Sequence, residues 1–255
     1  MTEPTTRLNS CLRILRLPGI QAHWGPHAGL ASNEGWSYQR YLSELVELEI
    51  SGRHNRKTER LLQESRLPRG KSIESFDRSR LPMTEQRKLD LLLEGMFAAG
   101  NENVLVFGNP GSGKTHLVCA LGYELIRQGK PVLFSSCVSL VQRLLEAKQA
   151  IRLNKELKKL DKYEAVIIDD IGYVQQSREE MEVLFTFLAH RYESKSVIIT
   201  SNLAFSQWER IFKDPMTTAA AIDRLVHHSV ILELNLPSFR LQASQNTQKA
   251  AEQGA

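Results

Sequence analysis

The chain has few cysteines and no long apolar run. Its three cysteines, Cys11, Cys119 and Cys137, are far apart and form no C-x-x-C pair, which argues against a disulfide framework or a zinc site. No stretch approaches the ~18 consecutive apolar residues of a membrane span, and arginines interrupt the apolar positions near the start. We therefore expect neither a membrane anchor nor a signal peptide, and a cytoplasmic location.

The net charge of +4 is unevenly distributed. Residues 1–72 carry eleven Lys and Arg against seven Asp and Glu, whereas residues 73–255 carry 22 of each. Pro, Gly and Ser punctuate residues 68–86, which suggests a connector. We predict a small basic helical domain over 1–72, a larger domain over 73–240 and a disordered tail over 241–255. The basic excess favours a polyanionic partner for the first domain.

Helical spacing dominates the N-terminal domain. Apolar residues from Thr5 to Leu17 predict a helix that Pro18-Gly19 ends, and the Gly- and Pro-rich stretch from Trp24 to Gly35 predicts a loop. Ser37 is a suitable cap for a longer helix that runs to about Leu67.

Four cations on that long helix are candidates for DNA contact. Arg53, Arg56, Lys57 and Arg60 lie at i, i+3, i+4 and i+7, so they share one helical face that could follow a phosphate backbone. A solvated charged helix surface is the alternative.

A second basic stretch, residues 147–163, gives the same two alternatives. Lys148, Arg152, Lys155 and Lys159 are spaced by 4, 3 and 4 residues, which predicts four cations on one helical face, while Ile151 and nearby leucines would make the apolar contacts. The functional interpretation is a second DNA contact, lining the inside of an assembled ring or spiral.

The strongest motif is a phosphate-binding loop. An apolar strand leads into G-x-x-x-x-G-K-[ST], and an amphipathic run follows it, which is the context that this pattern requires. The backbone amides and the following helix N-terminus would hold phosphates, Lys114 would reach the β- and γ-phosphates of ATP, and Thr115 would ligate Mg²⁺. The loop consists of Gly108, Asn109, Pro110, Gly111, Ser112, Gly113, Lys114 and Thr115.

Two carboxylates end a later apolar strand, AVIIDD. Asp169 would hold the Mg²⁺ shell, and Asp170 would orient or deprotonate the attacking water. Asp170 is shorter than the glutamate often found in this role, so slow or partner-stimulated ATP hydrolysis is expected. Asn202, at the tip of the strand SVIIT, could position that water or sense the γ-phosphate, or it could be an ordinary turn residue. Phe76, upstream of the phosphate loop, could stack on adenine or anchor the core.

Strands and helices alternate through residues 104–234. This alternation predicts an α/β fold with a parallel sheet covered by helices on both faces and the nucleotide at the carboxyl ends of the strands.

With these segments in place, the chain resembles the IstB-like ATPases of bacterial insertion sequences, which belong to the initiator branch of the AAA+ P-loop NTPases with DnaC and DnaA. The resemblance covers roughly residues 10–240. It rests on YLSELVELEISGRHNRKTERLLQESRLP, SIESFD, GNPGSGKTHL, VIIDDIG, IITSN and AAIDRLVHHSVILELNLPSFR.

The resemblance implies roles for individual residues. Lys114 and Thr115 match the phosphate and Mg²⁺ residues, Asp169 and Asp170 the metal and water-activating acids, and Asn202 the first sensor. Arg224 matches the arginine finger that completes a neighbouring subunit's site, although it could instead pair with Asp223 or another nearby acid. Arg240 resembles the second sensor.

The family also implies partners. These are double-stranded DNA, an IstA-type transposase and further copies of the chain in an ATP-dependent homo-oligomer. The expected function is thus an ATPase that assists transposition. A DnaC-like loader of a replicative helicase is the alternative, and a small-molecule P-loop kinase is disfavoured because it would not need the basic N-terminal region.

Overall fold

The computed structural model describes residues 3–172, 177–212 and 214–239. The chain divides into two compact units, Met1–Arg60 and Leu61–Ala255. The division falls before residue 72 because Leu61 and Leu67 are buried in the apolar core of the second unit, where the Tyr123 hydroxyl also donates to the Pro68 carbonyl at 3.1 Å. Arg240 and the predicted tail over 241–255 lie outside the described residues. Among the described helices, none has the length and apolar character needed to cross a membrane.

The first unit is helical. The Ser37 hydroxyl accepts the Arg40 amide at 3.2 Å, so the predicted cap of the long helix is present. Its helices are α1 (Glu3–Ile14), α2 (Pro18–Glu34) and α3 (Tyr38–Ser65), of which α3 continues past the unit boundary.

Helix α2 contradicts the loop predicted from Trp24 to Gly35. Pro18 opens this helix rather than only ending the one before it, and Gly35 closes it in the left-handed conformation with φ 65°. Contacts with distant residues compensate for its weak helix propensity: the Glu49 carboxylate accepts the Gly19 amide at 2.6 Å, and the Tyr41 hydroxyl donates to the Trp24 carbonyl at 2.8 Å. Tertiary contacts therefore override the local Gly and Pro signal.

The second unit alternates helices and strands as predicted. Short 3₁₀ turns at Ile73–Ser75, Arg78–Arg80 and Phe205–Gln207 connect its larger elements. The helices are α4 (Met83–Leu93), α5 (Met96–Ala99), α6 (Lys114–Arg127), α7 (Cys137–Gln149), α8 (Leu153–Leu160), α9 (Arg178–Arg191), α10 (Glu209–Phe212) and α11 (Pro215–Val226). The strands are β1 (Asn103–Gly108), β2 (Val132–Ser136), β3 (Ala165–Ile171), β4 (Ser196–Ser201) and β5 (Ser229–Leu234).

All five strands are parallel, in the order β2-β3-β4-β1-β5. Alternate residues of a strand enter different cores: Val104 and Val106 pack with α4 and α6, whereas Leu105 packs with α7 and α9. The sheet is thus covered on both faces, as predicted. Two cysteines, Cys119 and Cys137, are buried and Cys11 is exposed, and burial raises the pKa of Cys119 to about 12.

This strand order brings the predicted site together. β1 lies between β4 and β5, and β3 lies beside β4, so the carboxyl ends of β1, β3 and β4 are adjacent at one edge. The phosphate loop follows β1, the two aspartates end β3, and Asn202 follows β4.

Candidate nucleotide-binding site

The phosphate loop curls between β1 and α6 through left-handed glycines. Gly111 has φ 77° and Gly113 has φ 103°, a region that side chains beyond glycine rarely adopt. A Cβ at Gly113 would also lie 3.3 Å from the Phe76 ring. Both glycines are therefore required by the path of the loop immediately before the N-terminus of α6.

Lys114 and Ser112 are the buried polar side chains of this loop. Lys114 Nζ donates to the carbonyls of Gly108 at 2.8 Å and Asn109 at 2.9 Å, so the ammonium lies within the turn. The Ser112 hydroxyl is buried and has no hydrogen-bond partner among the described residues. A buried ammonium and an unpartnered hydroxyl suit an anionic ligand, because phosphate oxygens would accept hydrogen bonds from both.

A second set of oxygens faces the loop from β3 and β4. The Thr115 hydroxyl donates to the Asp169 carboxylate at 2.9 Å, and the Thr200 hydroxyl donates to the same carboxylate at 2.7 Å. Hydroxyl and carboxylate oxygens are the ligands that Mg²⁺ prefers, and it commonly takes one or two carboxylates together with substrate phosphates. Thr115 and Asp169 therefore fit a magnesium ion held at the phosphate loop, with Thr200 orienting the carboxylate.

Asp170 reaches the same place through an irregular backbone. The β3–β4 register shifts between Ile168 and Ile171, and Asp170 there takes φ 59°, in the left-handed region. Its amide donates to the Thr200 hydroxyl at 2.8 Å, which anchors the bulge. The bulge breaks the alternation of the strand, so that Asp169 is nearly buried whereas Asp170 is exposed at the cavity.

A cavity of about 430 Å³ joins these groups. Its volume falls in the usual range for a small-molecule site. The predicted residues that line it are Phe76, Pro110, Gly111, Ser112, Gly113, Lys114, Thr115, Asp170 and Asn202.

The position of Phe76 is compatible with both of the roles considered from the sequence. Its ring is half-buried against the apolar core of the second unit and meets the His116 ring edge-on, with centroids 5.3 Å apart. Another side of the ring borders the cavity beside Gly113, where a planar base could lie against it.

Three basic residues that line the cavity were not predicted from the sequence. Lys71, Arg80 and His116 all line it. Arg80 donates to the Pro237 carbonyl at 2.7 Å and lies over the Phe239 ring at 5.5 Å, while the Phe239 amide donates to the Gly111 carbonyl at 2.9 Å. The segment after β5 is thus tied to the phosphate loop. Two helices and a strand separate Arg80 from that loop, and Arg80 belongs to no motif, so no spacing rule could have indicated it.

Arg224 lies away from this cavity. It occupies the last turn of α11, next to the amino end of β5, whereas the cavity lies at the carboxyl ends of the strands. The six residues of β5 span roughly 20 Å between the two edges. The Arg224 guanidinium lies over the Phe185 ring at 4.9 Å. Its Nη1 is buried without a hydrogen-bond partner, and it forms no ion pair with an acid of the described residues.

Comparison with known proteins agrees with this geometry. The family described as IstB-like ATP binding protein matches residues 10–247. The chain belongs to this family. It is 41% identical to an insertion sequence ATP-binding protein of Sinorhizobium fredii over 97% of this chain and 84% of that protein. It is 38% identical to the insertion sequence IS21 ATP-binding protein of Pseudomonas aeruginosa over 92% of this chain and 89% of that protein.

Solved structures show the fold. The DnaC helicase loader has a TM-score of 0.55 at 18% identity, covering 65% of this chain and 97% of that one. AMPPCP-bound DnaA from Aquifex aeolicus has a TM-score of 0.56 at 19% identity, covering 68% of this chain and 52% of that one. The second unit of this IstB-like protein therefore has the AAA+ fold, as predicted.

Two of the four cations predicted to contact DNA on α3 are engaged within the first unit. Arg53 bonds to the nearly buried Glu49 carboxylate at 2.8 Å, and Arg56 lies 3.6 Å from it. Burial alone would raise the pKa of Glu49, but the hydrogen bonds from Arg53 and from the Gly19 and Ile20 amides outweigh it and lower that pKa. Arg53 and Arg56 therefore serve the fold of this IstB-like N-terminal unit, while their side chains stay about half exposed.

The second predicted row of cations is not a single helical face. Ile151 takes φ 54° between α7 and α8, and the Arg152 amide closes the end of α7 on the Ala147 carbonyl at 2.7 Å. The chain therefore turns back, Ile151 is 94% exposed rather than an apolar contact, and Lys148 pairs with Glu182 at 2.9 Å. The other three predicted cations line one surface depression together with Arg143. They are Arg152, Lys155 and Lys159.

Proposed function

We propose that this chain is an ATP-dependent, DNA-binding helper of transposition. In its ATP state it assembles on duplex DNA, remodels the target and recruits or regulates an IstA-type transposase, and hydrolysis of ATP resets the assembly. The observation that carries this proposal is the separation of two complementary halves of an ATPase site. Lys114, Thr115 and Asp169, which would hold nucleotide and Mg²⁺, lie at the carboxyl ends of the strands, whereas Arg224 lies near the amino end of β5.

An ATPase site divided in this way would be completed only by a second copy of the chain. Arg224 cannot reach its own cavity across the length of β5, but its guanidinium could serve the cavity of a neighbouring chain. Guanidinium suits this task because it stays charged and can grip a phosphate with two parallel hydrogen bonds. Asp170 and Asn202 would orient the attacking water within the chain that holds the nucleotide.

The extent of the similarity favours a transposition helper over a helicase loader. The matches to the insertion sequence proteins include the basic N-terminal unit, span at least nine-tenths of this chain and reach 41% identity, whereas the DnaC structure is 18% identical. The names of the relatives refer to insertion sequences, and their partner would be the transposase of the same element.

We expect ATP and duplex DNA to drive assembly together. Light scattering and electron microscopy should show small species without nucleotide, and ring or spiral particles on duplex DNA with a non-hydrolysable ATP analogue. ADP in place of the analogue is the matched control and should leave the small species. A protein that stays a single chain with both the analogue and DNA would contradict the proposal.

A salt titration tests DNA contact by α3. Changing Lys57 and Arg60 together to glutamine should lower the slope of log affinity against log salt by ~0.9 for each lost phosphate contact. Both residues are exposed, and the Glu49 carboxylate keeps its contacts with Arg53 and Arg56 in this variant, so the first unit should remain folded. Arg127→Gln is a suitable control because Arg127 is exposed on α6 and pairs only with its neighbour Glu124 among the described acids at 2.8 Å. An unchanged slope in the Lys57 and Arg60 variant would make this face a solvated surface.

A further inference from the structure

Two loops at the amino edge of the sheet bring a carboxylate and two imidazoles together. Glu193 lies between α9 and β4, and His227 and His228 lie between α11 and β5. One ligand atom from each of these three residues lies within 4.8 Å of the others, which makes them a cluster of metal-binding groups among the described residues. All three side chains are exposed, and none belongs to the nucleotide cavity.

The backbone of both loops is fixed to the start of β1. The Asn103 amide donates to the His228 carbonyl at 2.7 Å, and the Asn101 side chain donates to the Glu193 carbonyl at 3.3 Å. The Asn103 side chain also joins the Leu225 carbonyl to the Val197 amide. The three side chains thus project from backbone positions that are held relative to one another.

The Tyr192 hydroxyl lies behind two members of the cluster. It is 3.2 Å from Nδ1 of His227 and is also hydrogen-bonded to the Glu193 side chain. When His227 donates Nδ1–H to this hydroxyl, its Nε2 carries the lone pair that a metal needs. A partner of this kind on the second nitrogen is a general feature of metal-ligating histidines.

We propose that Glu193, His227 and His228 bind a divalent transition-metal ion such as Zn²⁺. One carboxylate and two imidazoles form a known ligand set for zinc, and three protein ligands leave a fourth position open to water. Ligand atoms of a tetrahedral zinc ion lie roughly 3.3 Å apart, so modest rotations of these exposed side chains would close them on the ion. The absence of a C-x-x-C pair argued against a zinc site, but the proposed site uses none of the three cysteines.

The position of the site suggests what the ion would do. His228 is one helical turn beyond Arg224, and Glu193 follows α9, the helix whose Phe185 ring lies under the Arg224 guanidinium. A bound ion would join the ends of α9 and α11 and restrict the movement of Arg224. This consequence rests on the proposed function, whereas ion binding itself does not.

Zinc binding can be measured without nucleotide or DNA. The metal-free full chain, in excess Mg²⁺ and with Cys11 changed to serine, is titrated with Zn²⁺ in competition with a chromophoric chelator. We expect one equivalent per chain and a higher melting temperature on binding. His228→Gln, His227→Gln and Glu193→Gln should each weaken binding more than ~100-fold, and Tyr192→Phe about tenfold.

The chain offers an internal control for adventitious binding. His23 and His27 lie one turn apart on α2, with ring centroids 5.9 Å apart, and could chelate an ion on their own. His23→Gln/His27→Gln should leave the zinc affinity unchanged. Loss of binding in this double variant, or wild-type affinity in any folded variant of the three ligands as checked by circular dichroism, would overturn the proposal. Neither result would affect ATP-driven assembly, which is measured separately.

Discussion

Replacing Arg224 with alanine is expected to lower ATP hydrolysis by about a thousandfold or more while each chain still binds ATP. The expected loss follows from the usual contribution of a guanidinium supplied to the transferred phosphoryl group. ATP affinity should be retained because Arg224 does not line the cavity of its own chain. Turnover is measured with DNA present, and ATP affinity with a fluorescent analogue on the unassembled protein.

Mixing two inactive variants tests whether Arg224 acts between chains. Arg224→Ala has an intact phosphate loop, and Lys114→Ala has an intact Arg224. Mixed assemblies should therefore contain interfaces at which one variant supplies each half, and activity should partly return. Restoration requires a shared site, so two variants that stay inactive when mixed in a confirmed common assembly would refute it.

Two further variants separate the chemistry of Arg224 from its packing. Arg224→Lys keeps the charge but loses the planar pair of donors, and it should remain strongly impaired. Arg127→Ala removes an exposed arginine of α6 and should retain wild-type turnover. Full activity of Arg224→Lys would show that the positive charge alone suffices and that Arg224 makes no bidentate hydrogen-bond contact with the phosphate.

The sequence was most informative where chemistry and backbone path depend on the same residues. Glycines at 111 and 113 are required by left-handed torsions, and Lys114 and Thr115 follow directly because α6 begins there. The apolar residues before Asp169 indicate a buried strand. Parallel pairing then places the loop and this carboxylate at one edge, so the fold and the central part of the site could be predicted together.

The predictions failed where distant contacts decide local structure. Helix α2 contains Gly25, Pro26 and Gly29, yet Glu49 and Tyr41, both on α3, bind its backbone from outside. Such long-range contacts cannot be predicted from residue spacing alone.

The break at Ile151 has the same origin. A β-branched residue such as Ile151 rarely adopts a left-handed conformation, so the sequence did not indicate a turn there. The turn at Ile151 allows α8 to fold back, and Leu157 and Leu160 are thereby buried beside α7. Arg80 reaches the cavity by a similar tertiary route, through a 3₁₀ turn and the segment after β5.

Asp170→Asn is expected to lower ATP hydrolysis by ~10²–10⁴-fold and to prolong ATP-bound assemblies on DNA. The magnitude is that of losing a positioned general base or water-orienting group. This substitution should change the carboxylate without disturbing the backbone around it. Asparagine tolerates the left-handed conformation at φ 59°, and the bond to the Thr200 hydroxyl comes from the main-chain amide, which the variant keeps.

The same torsion accounts for an aspartate in place of the longer glutamate. Short polar side chains adopt left-handed torsions at a lower cost than longer ones, so Asp170→Glu should strain the bulge that places residue 170 at the cavity. We therefore expect this longer acid to lower hydrolysis rather than improve it, and to lower the melting temperature, which Asp170→Asn should leave nearly unchanged. Asp161→Asn is the matched control and should keep wild-type turnover, because Asp161 precedes the amino end of β3 and its exposed carboxylate lies 3.0 Å from His190 Nε2. Wild-type hydrolysis in Asp170→Asn would show that another group activates the water, whereas faster hydrolysis in Asp170→Glu would show that side-chain reach, and not backbone conformation, limits the reaction.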